Sequence, residues 1–191
     1  MTKPPLPIPP DVSAKPPPRP SVEPPVRSPF SCTLSSAEDT TGLAQRIAQQ
    51  LHPGDCLLLE GPIGAGKTHF SRSLIQSLMD SPEDVPSPTF TLVQTYDVSA
   101  GELWHADLYR LSSLDEIEEL GLIDAFDDAI CLIEWPDRLA ELTPPQALHL
   151  TLALDPSDED ARQLTLTWSD PRWQSLLDAI GPKIAGEIPH D

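Results

Sequence analysis

Eight consecutive residues carry the clearest chemistry in the chain: Gly61-Pro62-Ile63-Gly64-Ala65-Gly66-Lys67-Thr68. They match the phosphate-binding pattern G-x-x-x-x-G-K-[ST] at every fixed position. Gly61 opens the loop. Gly64 and Gly66 let its backbone N–H groups, those around Ile63 and Ala65 included, turn toward a phosphate with no Cβ in the way. A helix starting where the loop ends adds partial positive charge at the same spot. Lys67 would reach the β- and γ-phosphates, and the Thr68 hydroxyl would hold Mg²⁺. Lys67 is also the only lysine between Lys15 and Lys183. A chain that otherwise avoids lysine has one where a phosphate needs it.

Hydrolysis needs more than this loop. Mg²⁺ needs a carboxylate, often from the end of a neighbouring strand, and water must be oriented. Two acids stand where an apolar run stops: Asp107 after Trp104-His105-Ala106, and Glu134 after Ile130-Cys131-Leu132-Ile133. Ligands of open α/β sheets bind outside the carboxyl ends of parallel strands. Glu134 therefore suits Mg²⁺, directly or through a water, with Asp107 as the second acid. His69 and His105 read as ordinary polar residues and Trp135 as packing, with its place beside Glu134 offering the pocket rim as the alternative. No [NT]-K-x-D element for guanine is present, so adenine is the expected base and ATP the expected nucleotide.

The elements that must position these groups follow from hydrophobic pattern. Cys56-Leu57-Leu58-Leu59-Glu60 is an apolar run of strand length before the loop, and Phe70, Leu74, Ile75, Leu78 and Met79 recur at helical spacing after it. Phe30–Leu34 alternates like an edge strand. Ser36 with Asp39 starts a helix whose face is Leu43, Ile47 and Leu51. Thr89–Asp97 is β-rich and reads as a hairpin with 103–107. Leu114, Ile117 and Leu120 mark a short acidic helix ended by Gly121. Ala129–Ile133 is continuous and apolar, as in a buried parallel strand. Pro136 opens a short helix, 148–154 and 164–168 alternate as late strands, and Pro171 opens a last short helix. The expected fold is a three-layer α/β, P-loop NTPase-like domain with a mixed, mostly parallel sheet of about seven strands.

Composition sets the limits. Of 191 residues 24 are Pro, and 12 of these fall within residues 1–29. That stretch reads as a disordered proline-rich tail, 30–181 as the folded domain and 182–191 as a short C-terminal tail. Net charge is −18; residues 1–29 carry four basic and two acidic side chains, which leaves −20 for the rest. Such a body repels a phosphate backbone, so tight nucleic-acid binding by this chain alone is not expected. No apolar run is long enough to span a membrane and no signal peptide is visible, which makes a cytoplasmic protein the expectation. Cys32, Cys56 and Cys131 are odd in number and widely spaced, which fits reduced, buried thiols.

Several segments together resemble the TsaE (YjeE) family, small ATPases of bacterial tRNA threonylcarbamoyladenosine synthesis. The phosphate loop is followed by Ser87-Pro88-Thr89-Phe90-Thr91-Leu92-Val93 and His105-Ala106-Asp107-Leu108-Tyr109-Arg110-Leu111. Then come Glu119-Leu120-Gly121-Leu122-Ile123-Asp124 and Ile130-Cys131-Leu132-Ile133-Glu134-Trp135. The series covers roughly residues 30–170. The resemblance implies ATP and Mg²⁺ as cofactors, with Lys67 and Thr68 serving phosphate and metal. It implies Asp107 and Glu134 as the acids near metal and water, and Ser87 and Thr89 in a switch-like loop that senses the γ-phosphate. Arg162, in Asp160-Ala161-Arg162, would lie on the adenine side. TsaD-like and TsaB-like proteins would be the partners. Ala106 stands where the family usually has an apolar aromatic, and Pro62 where it has an acid; neither change removes a proposed ligand.

Two other classes share the motif. A small-molecule kinase would use the same fold, but the stretch after Lys67 lacks the Arg-rich lid a kinase closes over its acceptor. A nucleotide-sensing module would bind without turnover. Fast phosphoryl transfer usually needs a further cation. Arg72 and Arg110 have no spacing that demands this role, so hydrolysis is expected to be slow alone and faster with partners.

Overall fold

The computed structural model describes residues 29–81 and 83–185. The expectations for residues 1–28 and 186–191 lie outside the described residues. Seven strands form one mixed sheet: β1 (Phe30–Leu34), β2 (Cys56–Glu60), β3 (Val93–Val98), β4 (Gly101–Asp107), β5 (Ile130–Glu134), β6 (Leu148–Leu154) and β7 (Arg162–Thr167). Their order is β1-β7-β6-β2-β5-β4-β3. The central neighbours β6, β2, β5 and β4 are parallel, while β1–β7, β7–β6 and β4–β3 are antiparallel.

Helices cover both faces, which makes the three expected layers. On one face α1 (Ala37–Ala48), α2 (Lys67–Leu78) and α5 (Pro171–Ala185) pack against the sheet. Leu43, Ile47, Phe70, Leu74 and Trp173 bury themselves there against Leu57, Leu59, Leu132 and Leu150. On the other face α3 (Leu114–Glu119), α4 (Leu122–Asp128) and a 3₁₀ segment, Pro136–Leu142, close over Leu58, Cys131 and Ile133. Strands β2 and β5 are buried on both faces, so they read as unbroken apolar runs.

Local chemistry sets the element ends. Ser36 caps α1: its Oγ accepts from Asp39 N at 3.1 Å, and Ser35 N donates to Asp39 Oδ2 at 2.9 Å. Ser113 and Glu116 form a capping box at α3. Gly121, at φ 78°, ends α3 as expected and also starts α4, a helix the spacing did not reveal. The β-rich run from Thr89 differs in its first part: β3 begins only at Val93. Leu92 takes φ 66° and donates from its N to Pro88 O at 2.7 Å, so 89–92 turns instead of extending. α5 continues to Ala185, past the expected domain end at 181. The three cysteines are free; Cys56 and Cys131 face each other in register on β2 and β5. Burial pushes the Cys131 thiol up to about 12 and Cys32 to about 11.

Candidate functional site

The loop between β2 and α2 lies at the carboxyl edge of the parallel strands, as the motif requires. It starts by packing against β6: a Cβ on Gly61 would stand 2.2 Å from Leu152 O, so only glycine fits. At Gly64 and Gly66 there is open space, and the constraint is instead backbone sign, with φ at 81° and 102°. Gly66 caps α2, accepting from Phe70 N at 2.9 Å. Within the loop Ala65 N donates to Pro62 O at 3.2 Å, while the Ile63 side chain is exposed.

Lys67 is the first residue of α2 and is 5% exposed. Its Nζ donates to Gly61 O at 2.7 Å and Pro62 O at 3.0 Å, and sits 4.2 Å from the centre of a Trp135 ring. Burial pulls the Lys67 ammonium below its ordinary range, while the Glu134 and Asp107 charges push the other way. Trp135 owes its position to a left-handed backbone, φ 61°, directly after β5. Tyr109 leans on the same ring, centroids 4.8 Å apart. Trp135 is thus more than packing at a rim: it forms one wall around the lysine.

The two expected carboxylates end adjacent parallel strands, Asp107 opposite Glu134 in the β4–β5 register. Both are buried. Thr68 Oγ1 donates to Glu134 Oε2 at 3.0 Å, which ties the phosphate loop to the end of β5. His105 Nε2 lies 2.9 Å from Glu134 Oε1, so both oxygens are engaged. Asp107 is held by Thr89 Oγ1, donating to Oδ2 at 2.7 Å, and by Tyr109 N, donating to Oδ1 at 3.0 Å. Ser87 Oγ is 2.8 Å from Thr89 Oγ1, so the Ser87–Thr89 loop reaches Asp107 as one chain of hydroxyls.

The remaining candidates sit apart from this cluster. Arg162 Nη1 donates to Glu159 O and Ala161 O, both at 2.7 Å, in its own loop. Arg72 Nε donates to Val85 O at 2.8 Å, and Arg110 lies 4.4 Å above the exposed Phe90 ring. His69 behaves as the ordinary polar residue expected, linking α2 to Thr41 and Ala37 of α1. His105 does not: set aside in the sequence, it is fully buried against Glu134. Its signal was its place two residues before Asp107, hence on the same strand face.

Thr68, Asp107 and Glu134 offer a hydroxyl and two carboxylates, hard oxygen ligands that fit Mg²⁺. Among the described residues no group of three or more His, Cys, Asp or Glu forms a metal cage. The set therefore suits a cation that completes its shell with phosphate oxygens and water.

A family model described as "Threonylcarbamoyl adenosine biosynthesis protein TsaE" matches residues 34–164. The tRNA threonylcarbamoyladenosine biosynthesis protein TsaE of Rickettsia conorii is 40% identical over 149 residues, which span 78% of this chain and 85% of that protein. The TsaE of Bacillus subtilis is 35% identical over 144 residues, 75% of this chain and 88% of its own. The crystal structure of YdiB from Bacillus subtilis superposes with a TM-score of 0.66 at 27% identity, covering 83% of this chain and 97% of that one.

Proposed function

The chain belongs to the TsaE family, and from that premise we propose that it is a Mg²⁺-dependent ATPase acting as a subunit in tRNA threonylcarbamoyladenosine modification. The observation that carries this reading is the 3.0 Å bond from Thr68 of the phosphate loop to Glu134 at the end of β5. It brings the phosphate-loop motif and the Glu134 carboxylate together, which supports one shared site for both. Backbone N–H groups of Gly61–Thr68 bind the phosphates, and Lys67 neutralises charge on the transferred group. Thr68, Asp107 and Glu134 would hold Mg²⁺, which would supply charge neutralisation for the phosphates. Glu134 orients the attacking water, and the Ser87–Thr89 loop senses the γ-phosphate through Asp107.

Partner stimulation is part of the proposal. The contacts of Arg72, Arg110 and Arg162 are to Val85, Phe90 and their own loop, not to the phosphate loop. An arginine finger is worth about 10³–10⁵ in rate. TsaD-like and TsaB-like proteins, in the cytoplasm, are the proposed source of a cation or of a fixed switch loop. Among the described residues no helix is long and apolar enough to cross a membrane.

The test is steady-state phosphate release at saturating ATP and Mg²⁺, for the protein alone and with purified partners. γ-Labelled ATP separates transfer to water from transfer to a small-molecule acceptor. Equal rates with and without partners would remove the gating proposal. Label on an acceptor would make the chain a kinase, and nucleotide binding with no release would make it a sensor.

A further inference from the structure

We propose that His105 is a positioning residue for the reaction: by donating from Nε2 to Glu134 Oε1 it fixes the carboxylate with Oε2 toward Thr68 and keeps it off Lys67. The inference rests on the hydrolysis reading above for its rate prediction, though not for its geometry.

The strand pattern isolates this residue. Leu103, His105 and Asp107 point to one face of β4, and their register partners on β5 are Ile130, Leu132 and Glu134. Leu57, Leu59, Leu103, Ile130 and Leu132 all belong to the apolar core on that face. His105 is thus a polar side chain, 0% exposed, in a row that packing alone would fill with leucine. Its Nδ1 is buried and has no hydrogen-bond partner among the described residues, an arrangement that costs stability. A histidine that served packing alone would bring this cost with no return. The proton on Nε2 accounts for both nitrogens: Nε2 donates to a carboxylate that can only accept, and Nδ1 keeps just a lone pair away from water.

What the bond prevents is equally specific. Glu134 and Lys67 are opposite charges, both nearly buried, and the ammonium senses the carboxylate. Among the described residues no carboxylate stands at ion-pair distance from Lys67. Thr68 occupies Oε2 and His105 occupies Oε1. With Oε1 released, the carboxylate can rotate toward the lysine, and an internal ion pair would then compete with phosphate for the loop's one ammonium.

The test uses the full chain with His105→Leu, His105→Gln and His105→Ala. Glutamine carries its amide nitrogen the same number of bonds from Cβ as Nε2, so it can make the same donation. We expect His105→Leu to melt at or above the wild-type temperature and to lower kcat by about 10–100-fold, the usual effect of losing an outer-shell partner. We expect His105→Gln to recover most of kcat. Unchanged kcat in His105→Leu overturns the proposal. So does equal loss in His105→Gln and His105→Ala, a comparison that stands even if the leucine variant folds poorly. A second readout needs no turnover: ¹⁵N spectra of the imidazole in nucleotide-free protein should show the proton on Nε2, and Glu134→Ala should change that pattern. An imidazole spectrum indifferent to Glu134→Ala overturns the proposal. If wild-type protein releases no more phosphate than Lys67→Ala, it is the hydrolysis reading that fails, and the imidazole spectra still decide whether His105 holds Glu134.

Discussion

The two ends of β2 handle buried charge in opposite ways. At its start, Asp55 is nearly buried and both its carboxylate oxygens pair with the Arg172 guanidinium from α5. Its Oδ2 also accepts from His52 N at 2.7 Å, and its carbonyl accepts from Cys131 N at 2.8 Å. Arg172 completes the set by lying 4.5 Å over Trp173. Burial pushes the Asp55 carboxyl up, and the His52 amide and Arg172 hold it back in part. At the other end, Lys67 and Glu134 are just as buried but do not pair. Carbonyls and an indole hold the lysine; a hydroxyl and an imidazole hold the glutamate. Opposite charges that meet neutralise each other and join two elements. Opposite charges held apart by other partners can stay available to a ligand that carries both charges.

Substitutions at each end should therefore read out differently. The largest effect is expected for Lys67→Ala. Phosphate release should fall by at least about 100-fold and ATP affinity should drop, because the charge complementary to the phosphates is gone. Unchanged turnover would mean that this end of the strand is merely structural. Glu134→Gln comes next, with turnover down about 100-fold and nucleotide affinity largely kept if the residue orients water. Isothermal titration decides the alternative: joint loss of ATP and Mg²⁺ affinity would assign Glu134 chiefly to the metal. Arg172→Ala should do the reverse. It leaves a buried carboxylate without its cation, and the loss is tempered because the guanidinium is 36% exposed. A cost of about 1–2 kcal/mol, or roughly 3–6 °C in Tm, is expected, with kcat unchanged below the melt. A fall in kcat without a fall in Tm would undo the contrast between the two ends.

How much of this was legible in the chain depends on how local each cause is. The phosphate loop is a local pattern, and β2, α2 and β5 follow from unbroken or 3.6-periodic apolar runs, so all four are written in consecutive residues. The turn at 89–92 is not. Its composition favours a strand, but Leu92 turns back to Pro88, and Thr89 bonds Asp107, a residue far along the chain. Tertiary bonding overrides local β preference there. His105 was half legible: period-two alternation places it with Asp107, but its pairing with Glu134 needs β4 beside β5, which only the sheet order supplies. Trp135 was legible only as a neighbour of Glu134; nothing in Glu134-Trp135-Pro136 announces the left-handed backbone that sets it beside Lys67. Arg162 was assigned to the adenine side by resemblance alone; that it opens β7 and bonds within its own loop was not legible.

The smallest expected effect tests the contrast through pH. Burial lowers the Lys67 ammonium from its ordinary value, so the protonated lysine is less favourable in the folded chain than in the unfolded one. The folded state then bears a penalty at pH values below the lowered one. That penalty fades as pH rises toward the unfolded value of about 10.4. Lys67→Met has a similar length and never carries the charge. Its stability relative to wild type should be greatest near neutrality and should shrink steadily as pH rises. Cys32, Cys131 and Tyr96 also titrate in alkali, but they are common to both proteins and cancel in the difference. Denaturant melts of the two proteins at matched pH from neutral to alkaline give the slope directly. A difference that grows with pH would mean that Glu134 and Asp107 outweigh burial, so that Lys67 is already neutralised from within, as Asp55 is by Arg172. Bound nucleotide should oppose the trend, because phosphate favours the ammonium: ATP affinity of the wild type should weaken as pH rises through the Lys67 value, and that of Lys67→Met should not follow it.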